Sequence, residues 1–205
     1  MTASDESAVQ DLLTALPAVT EADLSALHDR LAVSAAAEGM LDVAYRTLDT
    51  PLGTLLLAAT EQGLVRVAYA TEDHDKVLTT IAKRISPRIL HAPRRLDAAA
   101  RQMDDYLAGR RRSFDLPLDW SLSAGFRRTV LSYLPDIAYG RTASYTAVAA
   151  MAGSPRAVRA VGTACATNPL PVVVPCHRVI RADGSFGGYL GGPAAKRALL
   201  ELEAA

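Results

Sequence analysis

Cys165 and Cys176 are the only two cysteines among 205 residues. So few thiols exclude a disulfide framework and an all-cysteine zinc site, and they point to a reducing compartment. The chain has no uncharged apolar run of roughly 18 residues, which excludes a membrane span. Its opening MTASDESAVQ is acidic and lacks the basic-then-apolar pattern of a secretory signal. Repeats and low-complexity linkers are missing as well. Charged residues make up 21% and hydrophobic ones 50%, too little charge for a disordered chain and enough apolar material for a core. The length fits one domain or two small ones.

The net charge of zero hides an asymmetry. Residues 1–45 carry eight acids (Asp5, Glu6, Asp11, Glu21, Asp23, Asp29, Glu38, Asp42) against Arg30 alone, a net −7, while 46–205 carry 21 bases against 14 acids, a net +7. Nine of those bases and only four of the acids fall in 120–205. An acidic leader on a basic body hints at an anionic partner for the body, although two ordinary solvated faces explain the charge equally well.

Three stretches differ in texture. In 1–40, Val9, Leu12, Leu13 and Leu16 share one helical face, and Leu24, Leu27 and Leu31 share another. Pro17 separates the two, and Thr20 with Asp23 forms a helix start, so a helical hairpin packed through its leucines is expected. In 41–119, Val43–Leu48, Thr54–Ala58 and Leu64–Tyr69 read as strands joined by turns at Pro51-Leu52-Gly53 and Glu61-Gln62-Gly63. Residues 73–85 and 94–109 read as helices, completing a small α/β layer. In 120–205, Gly125–Leu134 is helical, Ser144 caps a helix over Tyr145–Ala152, and Gly153-Ser154-Pro155 leads into a helix over Arg156–Thr167. Two short helices around a glycine-containing turn have the helix-turn-helix pattern, which alone is weak. The second helix carries Ala157, Ala160, Gly162 and Ala164, with Arg156 and Arg159 three apart. A small, arginine-bearing helix suits a nucleic-acid groove, and close packing of two helices also selects such residues.

The segment from Asn168 to Ile180, reading Asn-Pro-Leu-Pro-Val-Val-Val-Pro-Cys-His-Arg-Val-Ile, carries the chemistry. Val172–Val174 reads as a buried strand closed by Pro175, with Cys176 where it ends. A cysteine among apolar residues is more often a small core side chain than a nucleophile. Here His177 and Arg178 adjoin it, and cationic neighbours lower a thiol pKa. In an extended chain Cys176 and His177 point to opposite sides, a poor arrangement for a direct thiolate–imidazolium pair, though a water could relay the proton. Cys165, Cys176 and His177 lack the spacing of a zinc finger, and His28, His74 and His91 are remote.

This segment resembles the active-site motif of the O6-alkylguanine-DNA alkyltransferases. The resemblance runs through most of 43–203. It includes Tyr45-Arg-Thr-Leu-Asp-Thr-Pro-Leu-Gly-Thr-Leu, Ala138-Tyr-Gly-Arg-Thr-Ala-Ser-Tyr, Arg156-Ala-Val-Arg-Ala-Val-Gly, Gly187-Gly-Tyr-Leu-Gly-Gly and Lys196-Arg-Ala-Leu-Leu-Glu-Leu-Glu. Five motifs in order make it specific. It implies an α+β protein: an acidic helical leader (1–40), an RNase H-like α/β domain (41–119) and a helical DNA-binding alkyltransferase domain with the helix-turn-helix (120–205).

The implied activity is single-turnover repair of double-stranded DNA, in which the alkyl group on O6 of guanine, or O4 of thymine, passes irreversibly to a cysteine. The resemblance implies minor-groove binding and base flipping by a cytoplasmic, nucleoid-associated monomer, with no membrane, metal or cofactor. It makes Cys176 the acceptor, with His177 taking its proton through water, Glu203 holding His177, and Asn168 ordering the approach to the cysteine. Ala157, Ala160 and Gly162 would line the groove, and Arg159 would fill the place of the flipped base. Tyr145 would crowd the 3′ phosphate and help neutralise the departing guanine, while Pro171, Val179 and Tyr189 wall the pocket. Glu203 also stands out by itself, since a carboxylate at a helix C-terminus opposes the helix dipole unless it has a partner.

Leu190 stands where members often carry Ser or Gly, which would narrow the pocket. Leu131 replaces a common Trp, a change expected to lie in the core. Ligands for the structural zinc of some members are missing near the N-terminus, and the leader lies outside the resemblance. A non-repairing relative that binds alkylated bases would lack the acceptor cysteine. A sequence-specific regulator would carry base-reading side chains on its second helix. A thiol hydrolase would need turnover and a better-placed base.

Overall fold

The computed structural model describes residues 19–204, so the expected helix over 7–16 lies outside the described residues. Helix α1 (Glu21–Ala37) opens on a reciprocal cap, in which Thr20 Oγ1 accepts from the Asp23 N–H at 3.2 Å and Asp23 Oδ2 accepts from the Thr20 N–H at 3.0 Å. Its leucines are not buried. Leu24, Leu27 and Leu31 remain 48%, 54% and 52% exposed, against the expectation that they pack the leader down. The neighbouring face docks instead, through Ala32 and Ala35 on the core and an Asp29–Arg94 ion pair at 2.9 Å.

Strands β1 (Val43–Leu48), β2 (Leu55–Thr60) and β3 (Gly63–Tyr69) form an antiparallel meander, and β4 (Ile89–His91) adds parallel to β1, giving the order β3-β2-β1-β4. With three residues, β4 is too short to show alternation in the sequence. Leu55 and Leu57 of β2 face one core cluster, Leu56 and Ala58 the other. Helix α2 (His74–Arg84) covers the second face with Val77 and Ile81. The first is covered by α3 (Asp97–Leu107), through Ala99, Ala100, Met103 and Tyr106, and by the C-terminal helices. A sheet buried on both faces explains why its strands read as nearly unbroken apolar runs.

The C-terminal part contains α4 (Gly125–Tyr133), a two-stranded parallel ladder of β5 (Ala143–Ser144) and β6 (Val179–Ile180), α5 (Tyr145–Met151), α6 (Val158–Ala166) and α7 (Gly192–Ala204). Ser144 Oγ caps α5 by accepting from the Ala147 N–H at 3.1 Å. Helix α6 starts later than expected, because the Ala157 N–H donates to the Ser154 carbonyl at 2.8 Å and holds Pro155 and Arg156 in a turn. Leu131 is fully buried, in the core as expected.

Candidate active site

Val172–Val174 is not a strand. The segment coils tightly, with Val172 at φ 72°, a conformation that costs a β-branched residue about 1–3 kcal/mol. Asn168, fully buried, spans the coil. Its Oδ1 accepts from the Leu170 N–H at 3.0 Å, and its Nδ2 donates to the Val174 carbonyl at 2.9 Å and to Cys176 Sγ at 3.1 Å. One amide thus sets the backbone before the cysteine and touches the sulfur.

Cys176–Arg178 forms a 3-10 turn rather than extended chain, so the Cys176 and His177 side chains diverge by about 120° instead of pointing to opposite sides. All three residues are buried. The cationic neighbours do not lower the thiol pKa as expected. Burial pushes Cys176 up to about 11, against the weaker pull of Asn168 and of the Lys196 ammonium. Arg178 turns away to Glu203, its Nε 2.9 Å from Oε2, and its Nη1 donates to the Ile137 carbonyl at 2.5 Å.

Glu203, on the last turn of α7, is the hub. Its Oε1 lies 2.6 Å from His177 Nε2 and accepts from the Tyr106 hydroxyl, while Oε2 accepts from the Gly140 N–H at 3.1 Å. Gly140 sits at φ 72°, and a Cβ there would lie 2.7 Å from the Glu203 carbonyl oxygen, so only glycine brings that N–H to the carboxylate. Burial alone would raise Glu203, but the His177, Arg178 and Tyr106 hydrogen bonds outweigh it and hold the carboxyl down at about 2. Burial, helped by Arg178 and Lys196, keeps His177 below its usual value despite Glu203. An ionised carboxylate only accepts, so Nε2 of the neutral imidazole carries the proton. Nδ1, buried and without a partner among the described residues, keeps its lone pair.

The sheet domain reaches this centre. Arg66 Nη1 donates to the Pro169 carbonyl at 3.2 Å, the Val67 N–H donates to the same oxygen at 2.8 Å, and the Tyr69 and Tyr189 hydroxyls lie 3.0 Å apart. Pro171 and Val179 are buried near Cys176 in sequence, and Tyr189 is half-buried. Tyr145 starts α5 with its hydroxyl against Gly187, where a Cβ would approach to 2.1 Å. Arg159 and Ala160 are exposed on α6, Ala157 is half-buried, and a Cβ on Gly162 would meet nothing within 4 Å. Helix packing therefore does not explain why Ala160 and Gly162 are small. Among the described residues no cluster of three His, Cys, Asp or Glu side chains could hold a metal, and no helix is long and apolar enough to cross a membrane.

Two family models match, the ribonuclease-like domain of 6-O-methylguanine DNA methyltransferase over residues 43–120 and its DNA binding domain over 125–205. The chain belongs to this methyltransferase family. A methylated-DNA–protein-cysteine methyltransferase of Mycolicibacterium paratuberculosis is 39% identical over 161 residues, covering 78% of this chain and 92% of that protein. The constitutive Bacillus subtilis protein of that name is 38% identical, covering 76% and 92%. The Mycobacterium tuberculosis OGT crystallised with DNA superposes with a TM-score of 0.68 at 38% identity, covering 78% and 92%. A Pyrococcus kodakaraensis O6-methylguanine-DNA methyltransferase shares the fold at a TM-score of 0.56 and 22% identity, covering 80% of this chain and 99% of that one.

Of the site residues read from the sequence of this family member, Cys176, His177, Glu203 and Asn168 form one buried cluster, while Tyr145 lies against Gly187 of the glycine-rich 187–191 loop and Tyr189 belongs to that loop. Arg159, Ala157, Ala160 and Gly162 lie apart, on α6 and the turn before it. Sequence reading missed Tyr106, Arg66, Gly140 and Lys196. Lys196 had a usable signal: with Ala195, Leu199 and Glu203 it occupies the buried face of α7, where a lone lysine stands out. Nothing in the sequence distinguishes Tyr106 from an ordinary core aromatic.

Proposed function

We propose that Cys176 is the alkyl acceptor of a DNA-repair methyltransferase that takes the alkyl group from O6 of guanine, and also from O4 of thymine. The observation that carries this reading is the Asn168-bound thiol followed directly by a neutral histidine whose Nε2 is held by Glu203 and whose Nδ1 has no partner among the described residues. With the thiol held near 11, roughly one molecule in ten thousand is ionised at pH 7, so the thiol needs a base. His177 Nδ1 takes the thiol proton through one water, and Glu203 stabilises the imidazolium. The sulfur attacks the alkyl carbon in line with the C–O bond. The S–C bond forms as the C–O bond breaks, and the electron pair passes to the guanine ring. Tyr145 supplies a proton to the leaving base, and its phenolate and the His177 imidazolium then return to neutrality by proton exchange with solvent. The thioether is final, so each molecule acts once.

The partner is double-stranded DNA, with O6-alkylguanine as the lesion read. The α5–α6 pair acts as a helix-turn-helix in the minor groove, where Ala157, Ala160 and Gly162 leave room for the DNA backbone. Arg159 fills the vacancy left by the flipped base. Pro171, Val179 and Tyr189 wall the guanine pocket, and Leu190 narrows it. In this reading residues 41–119 brace the site, residues 120–205 hold it, and the protein works as a cytoplasmic, nucleoid-associated monomer. Intact-mass analysis after incubation with an O6-methylguanine duplex tests the assignment. One added methyl group, mapped to Cys176, is expected; methyl on Cys165, or none, overturns it.

A further inference from the structure

Tyr106 comes from α3 in the sheet domain, yet its side chain ends inside the Glu203–His177 pair. It is fully buried. Its hydroxyl donates to Glu203 Oε1, the same oxygen that faces His177, and lies 3.4 Å from His177 Nε2. The ring is held by Phe114 at 4.9 Å between centroids and by the edge of Tyr139 at 6.0 Å. Burial and the adjacent carboxylate push the phenol pKa up, so it remains a donor throughout the working pH range. A permanent donor on Oε1 spends part of the charge that would otherwise pull on the imidazole.

We propose that Tyr106 is a positioning residue for alkyl transfer, acting through Glu203 to keep His177 neutral, with its proton on Nε2 and its Nδ1 lone pair free for the Cys176 proton. This rests on the alkyl-transfer reading above. Several groups face His177: Glu203, which draws its pKa up, and Lys196, which pushes it down, on α7; Arg178, which also pushes it down, and Cys176 on its own turn; Tyr189 on the following loop; and Tyr106 from the other domain. Of these, Tyr106 alone removes negative charge from the atom that faces Nε2 without adding a positive one. Without the hydroxyl, Glu203 draws more strongly on His177 and the imidazole takes a solvent proton at higher pH. A histidine already protonated cannot accept the thiol proton, so activity is lost on the acid side first. The arrangement also makes the base of the C-terminal part depend on the sheet domain being in place.

The test is Tyr106→Phe, which keeps the ring and its packing, with Phe114→Leu as a control that loosens the same contact but spares the hydroxyl. Single-turnover methyl transfer is followed from pH 5 to 9, and the His177 ring nitrogens are titrated by 15N NMR in the DNA-free protein. Tyr106→Phe is expected to transfer roughly tenfold more slowly than wild type at pH 5.5 and within about a factor of two of it at pH 8.5. Its His177 titration should move to higher pH, while Phe114→Leu lowers the thermal midpoint and leaves that titration in place. A uniform slowing at every pH, an unmoved His177 titration, or the same displacement in Phe114→Leu overturns the proposal. If the titration moves but wild-type protein accepts no methyl group, the alkyl-transfer reading fails and the hold of Tyr106 on His177 stands.

Discussion

Around Cys176, Arg178, Glu203 and Lys196 are buried in bonding distance of fixed partners, whereas Arg156 in the turn before α6 and Arg159 on α6 are exposed. The buried charges were desolvated on folding, and each is tolerable only because hydrogen bonds and counter-charges compensate it in one geometry. The exposed charges kept their water and can meet phosphates in many geometries. On the proposed reading, chemistry belongs to the first region because proton transfer demands fixed distances, and contact with DNA to the second. The regions should therefore fail differently, the first in chemistry and in the stability of the buried cluster, the second in how the DNA is engaged, with stability intact.

Cys176→Ala gives the largest expected effect, loss of all methyl transfer with DNA affinity within about a factor of two of wild type, because the sulfur makes no contribution to phosphate binding. Transfer rate and duplex affinity measured on one preparation check it. Residual transfer would move the acceptor to Cys165 and break the division between regions.

Glu203→Gln comes next. Removing one member of a buried, paired cluster leaves Arg178 without its carboxylate, and about 3 kcal/mol of stability should go with it. Its pH signature has a definite sign. Glu203 titrates at about 2 when folded against 4.5 ordinarily, so as the pH falls the unfolded chain takes up the proton first. Wild-type stability, fully present above about pH 4.5, should fall towards pH 2 through this group, and denaturant unfolding of Glu203→Gln should lack that component. An equal acid slope in both proteins would mean the carboxylate is not held by its neighbours.

Arg159→Ala sharpens the other side. Transfer is expected to slow by about tenfold while stability stays within about 0.5 kcal/mol, as for a surface substitution. A fluorescent base analogue at the lesion should lose its unstacking signal at near-normal affinity. If affinity falls with the unstacking unchanged, and the salt slope drops by about one, Arg159 is a phosphate contact.

The smallest effect is expected from a chain truncated to residues 41–205. Helix α1 docks through two alanines and one partly exposed ion pair, so its loss should lower the thermal midpoint by only a few degrees and leave DNA affinity unchanged. Clearly tighter DNA binding at low salt would show that the acidic leader competes with DNA, and the exposed region would then be regulated from within the chain.

Local signals carried much of this protein. The Thr20-Asp23 cap, the turn at Pro51-Leu52-Gly53, the Ser144 cap and the apolar runs of β2 and β3 are settled by neighbours within a few residues, which is why they read directly. The leucines of α1 misled because periodicity shows that a helix has an apolar face but not which face meets the sheet; Asp29 and Arg94, far apart in sequence, select it. Val172–Val174 misled for a similar reason. Three valines favour a strand, but Asn168, bracketing Leu170 and Val174, together with the Val174 N–H donating to the Leu170 carbonyl, closes the coil that places Val172 in a left-handed conformation.

Around the cysteine, the sequence by itself determined which residues could react: a Cys-His-Arg triplet after a valine run, and a carboxylate at an unfavourable helix end. The tertiary structure alone decided their states. Whether Cys176 is acidic or not depends on burial, which raised its pKa where the adjacent cationic residues argued the reverse. Whether Arg178 serves the thiol or Glu203, and whether Tyr106 is packing alone or also a donor to Glu203, depends on contacts between segments far apart in the chain. Residue type fixes what a group can donate or accept. Solvation and distance fix what it does, and both belong to the folded chain as a whole.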